Sequence, residues 1–254
     1  MKKLIFTWNT YYDHYSFFAS WKNDVVEYEI DNRIFQNQYI PPNKKNGKLN
    51  KDNSKKFIEY IEKAEIWDIE NKIEKQQEQG LYVHCTDMPY YDVAYMNNDH
   101  IEMAGWYAGD SGTTIEEQNY IYLAMMLCDE SATNFILWNN EERNDLKKFT
   151  GRIKSFIYSD RDIDIRKVDG SVNQSKYTNL NDLIDRLNII FKNQNQLDID
   201  EIEDIDWQVI LINENDEIFS YVGDYEHYEN MKALSEWTKE NVKKNSDEND
   251  IELF

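Results

Sequence analysis

The densest group of chemically capable side chains lies between Asp198 and Asp206. There the order Asp-Ile-Asp-Glu-Ile-Glu-Asp-Ile-Asp sets six carboxylates, Asp198, Asp200, Glu201, Glu203, Asp204 and Asp206, around three isoleucines. Ile199, Ile202 and Ile205 recur every three residues, so on a helix they would form a narrow apolar seam with carboxylates over the remaining face. Glu214, Asp216, Glu217, Asp224, Glu226 and Glu229 continue the negative array, and Tyr225 and Tyr228 stand within it. Carboxylates can meet a positively charged surface, where complementary charge raises the association rate and aromatic anchors set affinity. The glycine an EF-hand loop needs is missing between Asp198 and Asp206, so calcium is not the expected ligand.

A second carboxylate group, Asp160, Asp162, Asp164 and Asp169, surrounds Arg161 and Arg166. On one strand face, Asp162 and Asp164 would resemble the paired carboxylates of a divalent-metal hydrolase. Alternating Asp and Ile is also the ordinary pattern of a half-exposed strand with nearby arginines to neutralise it. His84, Cys85, Asp87, Asp92, Asp99, His100 and Cys128 are metal-ligand types, but their spacing fits neither a Cys-x-x-Cys pair nor a His-Glu-x-x-His helix.

Gly109-Asp110-Ser111-Gly112 resembles the tetrapeptide around the nucleophile of trypsin-like proteases. The resemblance covers four residues, Thr113 stands where that family has another glycine, and no histidine context supplies the base of a triad. A turn leading into a helix cap at Thr114 is the simpler expectation. No catalytic, cofactor or metal residues are assigned.

Neither a Walker loop nor a dinucleotide fingerprint is present, which disfavours nucleotide-dependent catalysis. Direct nucleic-acid binding is disfavoured too, because it requires Lys and Arg to displace counterions. The expectation is an acidic protein-binding inhibitor engaging a basic partner, a nucleic-acid-processing enzyme or a toxin. An immunity protein or a phage anti-defence protein imitating nucleic-acid phosphates would fit. The alternative is a carboxylate-based metal-dependent hydrolase.

Charge placement carries this reading more than its total of −21 over 254 residues. Residues 1–75 balance at +1, and 76–142 hold twelve carboxylates and no Lys or Arg. Residues 143–192 return to +4, 193–231 again hold twelve carboxylates and no base, and the remainder sits at −2. A mixed surface would give solubility with less self-repulsion. Hydrophobic content of 41% with 14% aromatics is too apolar for disorder. The amino terminus lacks a signal-peptide h-region, and no stretch reaches the roughly 18 apolar residues of a membrane span. Cys85 and Cys128 read as reduced thiols, and a cytoplasmic location is expected by elimination.

Positioning these groups requires an α+β fold, with mixed or antiparallel sheets and four to five helices. Strands are predicted at Leu4–Trp8, Val25–Ile30, Ile34–Ile40, Leu81–Cys85, Asp92–Met96, Ile101–Tyr107 and Phe135–Trp138, with Asn43–Asn53 as a loop. In the second part they are predicted at Ile153–Tyr158, Ile163–Val168, Trp207–Ile212 and Glu217–Val222. Helices are expected from Asp52 to about Gln79, from a capping box at Thr114–Glu117, in a short segment reaching Lys148, along the Leu180–Phe191 stripe, and around Met231–Trp237. The expected domains are 1–150 and 151–245, with 246–254 as an acidic tail, and no internal repeat is evident.

Overall fold

The computed structural model describes residues 1–9, 14–32, 43–68, 90–97, 100–107, 114–140, 145, 148–167, 177–193 and 204–243. They form an α+β fold with two antiparallel sheets and, among the described residues, five α-helices. The chain divides into two compact units, Met1–Asn139 and Asn140–Phe254. No helix among the described residues is long and apolar enough to cross a membrane.

The first unit carries β1 (Lys2–Asn9), β2 (His14–Lys22), β3 (Val25–Asn32), β4 (Asn43–Lys48), β5 (Tyr90–Asn97) and β6 (His100–Tyr107), in sheet order β4-β3-β2-β1-β5-β6. Strict alternation sends Tyr15, Phe17, Ala19 and Trp21 of β2 inward while Ser16, Phe18 and Ser20 stay half-exposed. This strand was not among those expected. β4 corrects the expectation of a loop. Its sequence, Asn-Lys-Lys-Asn-Gly-Lys, has no apolar pattern, and it is a strand because β3 pairs with it, Glu27 opposite Lys48 and Asp31 opposite Lys44.

The inner face is covered by α1 (Lys51–Lys63), α2 (Ile115–Met126) and α3 (Thr133–Asn139). Asn50 caps α1, accepting from the Asn53 N–H at 2.8 Å, and Phe57, Tyr60 and Ile61 form its buried stripe. The expected continuation to Gln79 stops short: a 3₁₀ turn covers Ile66–Asp68, Trp67 is exposed, and residues 69–89 lie outside those described. The Thr114 capping box forms as expected, with Thr114 N–H donating to Glu117 and Glu117 N–H donating to the Thr114 hydroxyl. From Gln118 to Met126 every residue of α2 but the half-buried Tyr120 is buried, so it is covered around its circumference rather than along one stripe. Phe135–Trp138 is helical, not a strand. A four-residue apolar run does not distinguish the two, and here Phe135 enters a ring cluster with Phe6, Tyr15, Tyr122 and Trp138.

The second unit has β7 (Ile153–Asp160), β8 (Asp164–Lys167), β9 (Trp207–Asn213) and β10 (Ile218–Gly223), in order β10-β9-β7-β8. Two helices accompany them, α4 (Leu180–Asn193) and α5 (Glu229–Asn241). The core joins Phe156, Tyr158, Leu183, Leu187, Phe191, Trp207, Tyr221, Met231 and Leu234. Phe191 stacks on Tyr221 at 4.4 Å, and Trp207 meets Tyr228 edge-on at 5.3 Å. Ile157, Ile210, Ile212 and Val222 are buried as well, so β9 is covered on both faces, as its unbroken Val-Ile-Leu-Ile run implies.

Both units share one wiring plan that the sequence did not reveal as a repeat. Among the described residues, each unit's first strand pairs antiparallel with the first strand after its first helix, β1 with β5 and β7 with β9, and each is flanked by its own hairpin partner. β3 and β4 extend the first unit's sheet. In sequence, Tyr-x-Gly-Asp recurs at 107–110 and 221–224, each time five residues ahead of a helix start.

Candidate functional site: the acidic hairpin of the second unit

The hairpin β9–β10 carries the later half of the acidic block, and its folding sorts the carboxylates by position. At its tight end, the Asn213 side-chain oxygen accepts from the N–H groups of Asn215 and Glu217, and Asp216 takes a left-handed backbone (φ 63°). Asp216 points inward and is 8% exposed. Its partner is Lys154, whose ammonium lies 2.5 Å away because β7 breaks register between Ile153 and Ser155. Glu214 and Glu217 remain exposed beside it, Glu217 accepting from the Asn213 amide at 2.6 Å.

At the opposite end, Asp206 and Gly223 are joined by a backbone hydrogen bond, which brings the start of β9 to the loop after β10. Asp206 pairs with Arg161 at 2.7 Å and accepts from the Tyr225 N–H at 2.9 Å. Asp224 is 7% exposed and accepts from the His227 backbone N–H at 2.6 Å, with the His227 ring at 2.8 Å. Burial pushes the Asp224 carboxyl up, but the bonds from His227 prevail and hold it below its usual range. Gly223 is required here: a Cβ would stand 2.4 Å from the Trp207 ring and 2.8 Å from Tyr228. Asp204, Glu226 and Glu229 stay exposed at this end without an ion pair among the described residues. The two ends are separated by the seven residues of β9, roughly 20 Å.

Of the expected contact residues, Asp198, Asp200, Glu201 and Glu203 lie outside the described residues. Several others have partners within the protein. Asp206, Asp216 and Asp224 are committed to internal partners, and Tyr228 is 2% exposed, a core ring rather than an interface anchor. Tyr225 is half-buried with its hydroxyl already donating to Asp160. Asp204–Asp206 is not helical, and Ile205 is exposed, so the expected seam does not reach the end of its segment.

Asp160 forms the tightest polar group, one that sequence reasoning treated only as a member of a carboxylate cluster. One oxygen accepts the Asp162 and Ile163 N–H groups at 2.8 and 2.7 Å, closing the β7–β8 turn. The other accepts the hydroxyls of Tyr158, Tyr225 and Ser235 at 3.1, 2.8 and 2.8 Å. Burial raises this carboxyl, yet the bonds from Asp162, Tyr225, Ser235 and Tyr158 outweigh it and keep the group ionised below its ordinary range. The same environment pushes the Tyr225 phenol up to about 12, chiefly through burial. Asp162 pairs with Lys239 and Asp164 with Arg166, both at 2.6 Å. Each carboxylate of this turn thus has a protein partner, though Asp162 and Asp164 remain largely exposed, and Asp169 lies outside the described residues. No group of three or more His, Cys, Asp or Glu among the described residues has a metal-holding arrangement. Cys128 is a buried free thiol that burial pushes well above its usual range, and His84, Cys85 and Gly109–Gly112 lie outside the description.

Compared with protein-family models, curated proteins and solved structures, the chain matches none.

Proposed function

We propose that this protein is an inhibitor-type binding protein that engages a basic partner, an enzyme acting on nucleic acid or a toxin, as immunity or anti-defence proteins do. The contact surface is the end of the β9–β10 hairpin bearing Asp204, Glu226 and Glu229. One observation carries the reading. Asp206 and Asp224 engage Arg161 and His227 at this end, while Asp204, Glu226 and Glu229 are exposed with no ion pair among the described residues. Asp198, Asp200, Glu201 and Glu203 adjoin Asp204 in sequence and add to the same end's charge. Exposed uncompensated charge costs self-repulsion that a basic partner relieves, and it accelerates encounter at low salt.

The test is capture from a lysate on the immobilised full chain, with bound proteins identified at about 50 and 500 mM salt, a range over which the screening length falls severalfold. Strongly basic proteins should dominate at low salt and leave at high salt. Capture should collapse in D204K/E226K/E229K while the E214K/E217K control at the other end keeps it. Capture that ignores both salt and the triple reversal refutes the reading.

A further inference from the structure

α4 and α5 leave part of their apolar surface outside the core of the second unit. A groove of about 380 Å³ runs between them, where Ile189 and Ile190 lie opposite Ala233 and Leu234. Asn193 and Asn230 line one end of it, and Arg186 lines the other with its guanidinium 4.1 Å over the Trp237 ring, so the two helices run antiparallel. Ile189 is 64% exposed, the most exposed large apolar side chain among the described residues. On each helix the groove residues recur at i, i+3, i+4 and i+7, the spacing that receives an amphipathic helix.

The charge bordering this groove is lopsided. Asp182 and Asp185 each stand four residues before a groove residue of α4, and Glu229, Glu236 and Glu240 stand three or four residues from groove residues of α5, which sets all five along its borders. All five are exposed and form no ion pair among the described residues. The cations of the same faces are two, Arg186 stacked on Trp237 and Lys192 at 6.0 Å from the Phe149 ring. Lys232 and Lys239 fall on other faces of α5, with Lys239 held by Asp162. Asn230 directly follows Glu229, so the groove adjoins the acidic end of the β9–β10 hairpin.

We propose, resting on the basic-partner reading, that this groove seats a basic amphipathic helix of that partner. Aliphatic side chains of the helix cover Ile189 and Ala233, and its lysines and arginines meet the carboxylate borders. The chain's own apolar segments bring the wrong charge. Ile199, Ile202 and Ile205 stand among six carboxylates, and Ile251, Leu253 and Phe254 follow or flank Asp247, Glu248, Asp250 and Glu252. Either segment, or the same face of a second copy, would set like charges against the borders.

Fluorescence anisotropy tests it, with the full chain titrated at about 150 mM salt into a labelled leucine-lysine peptide of about 14 residues whose leucines follow the i, i+3, i+4, i+7 spacing. This peptide should bind with a Kd below about 100 µM, and the same residues reordered to scatter the leucines should bind about tenfold more weakly or worse. I189Q/A233Q alters no charge and changes two exposed positions, so it should weaken the patterned peptide about tenfold or more and leave the scattered one unchanged. No binding by the patterned peptide, equal binding of the two peptides, or an unchanged Kd in I189Q/A233Q overturns the groove assignment. Lysate capture by D204K/E226K/E229K decides the basic-partner reading separately, so the groove can fall while that reading stands. Self-association of the chain that I189Q/A233Q abolishes would give the groove to a second copy, and a gain of about tenfold in peptide affinity in L253S/F254S would give it to the chain's own tail. Either result also overturns the proposal.

Discussion

Removing the Asp160 carboxylate tests how the second unit is held together. Five donors converge on it, two turn amides and the hydroxyls of Tyr158, Tyr225 and Ser235. In Asp160→Ala the Asp162 amide reaches water, because Asp162 is exposed, but Tyr158 and Ser235 are 0% and 2% exposed and lose their acceptor. A buried hydroxyl left unpaired costs about 1–3 kcal/mol, so losing the acceptor of both should cost about 2–6 kcal/mol. Asp160→Asn keeps the shape and loses the charge, and should cost about 2 kcal/mol at pH 7. The folded carboxyl titrates below its unfolded value of about 4. Its contribution is therefore complete above that value and fades as pH falls through the folded one. The gap between parent and Asp160→Asn should stay level from about pH 7 to 5 and narrow below about pH 4. Urea unfolding across this range, with hydrogen exchange of the 153–167 and 229–241 segments to localise the effect, measures both. A loss under about 1 kcal/mol in Asp160→Ala, or a gap that does not narrow, refutes the account.

Two further outcomes follow from close packing and burial. Gly223→Ala should destabilise the second unit by about 2–3 kcal/mol, because the Trp207 and Tyr228 rings that the new methyl meets are both buried and cannot retreat cheaply; urea midpoints check this. In a Cys85→Ala background, Cys128 should resist a thiol-disulfide reagent at about pH 8 until denaturant is added. Burial raises its thiol far more than nearby Lys45 lowers it, and modification of the native protein within minutes would contradict this.

Local chemistry made part of this molecule legible in its sequence. Thr114 and Glu117 satisfy each other's orphan amides wherever the helix sits, and the Leu183, Leu187, Phe191 stripe buries one face of α4 as its spacing requires. The hairpin β9–β10 follows from two apolar runs around Asn213–Glu217, whose Asn213 makes the turn with its own side chain. β2 was not expected, although Tyr15, Phe17, Ala19 and Trp21 alternate and Phe18 alone blurs the pattern.

The rest needed partners distant in the chain. β4 has no apolar face and exists through its ladder to β3, while the Phe135–Trp138 run became a helix because the rings of β1, β2 and α2 receive Phe135 from that geometry. The acidic block shows the same division most clearly. Its composition fixes that Asp204 through Glu229 lack any Lys or Arg among them. Which carboxylates then face water was decided by Arg161, Lys154 and the Asp160 hydroxyl cage, contributed from β7, the β7–β8 turn and α5. A carboxylate's partners depend on distances of a few ångströms, and sequence order does not encode those distances until the strands pair.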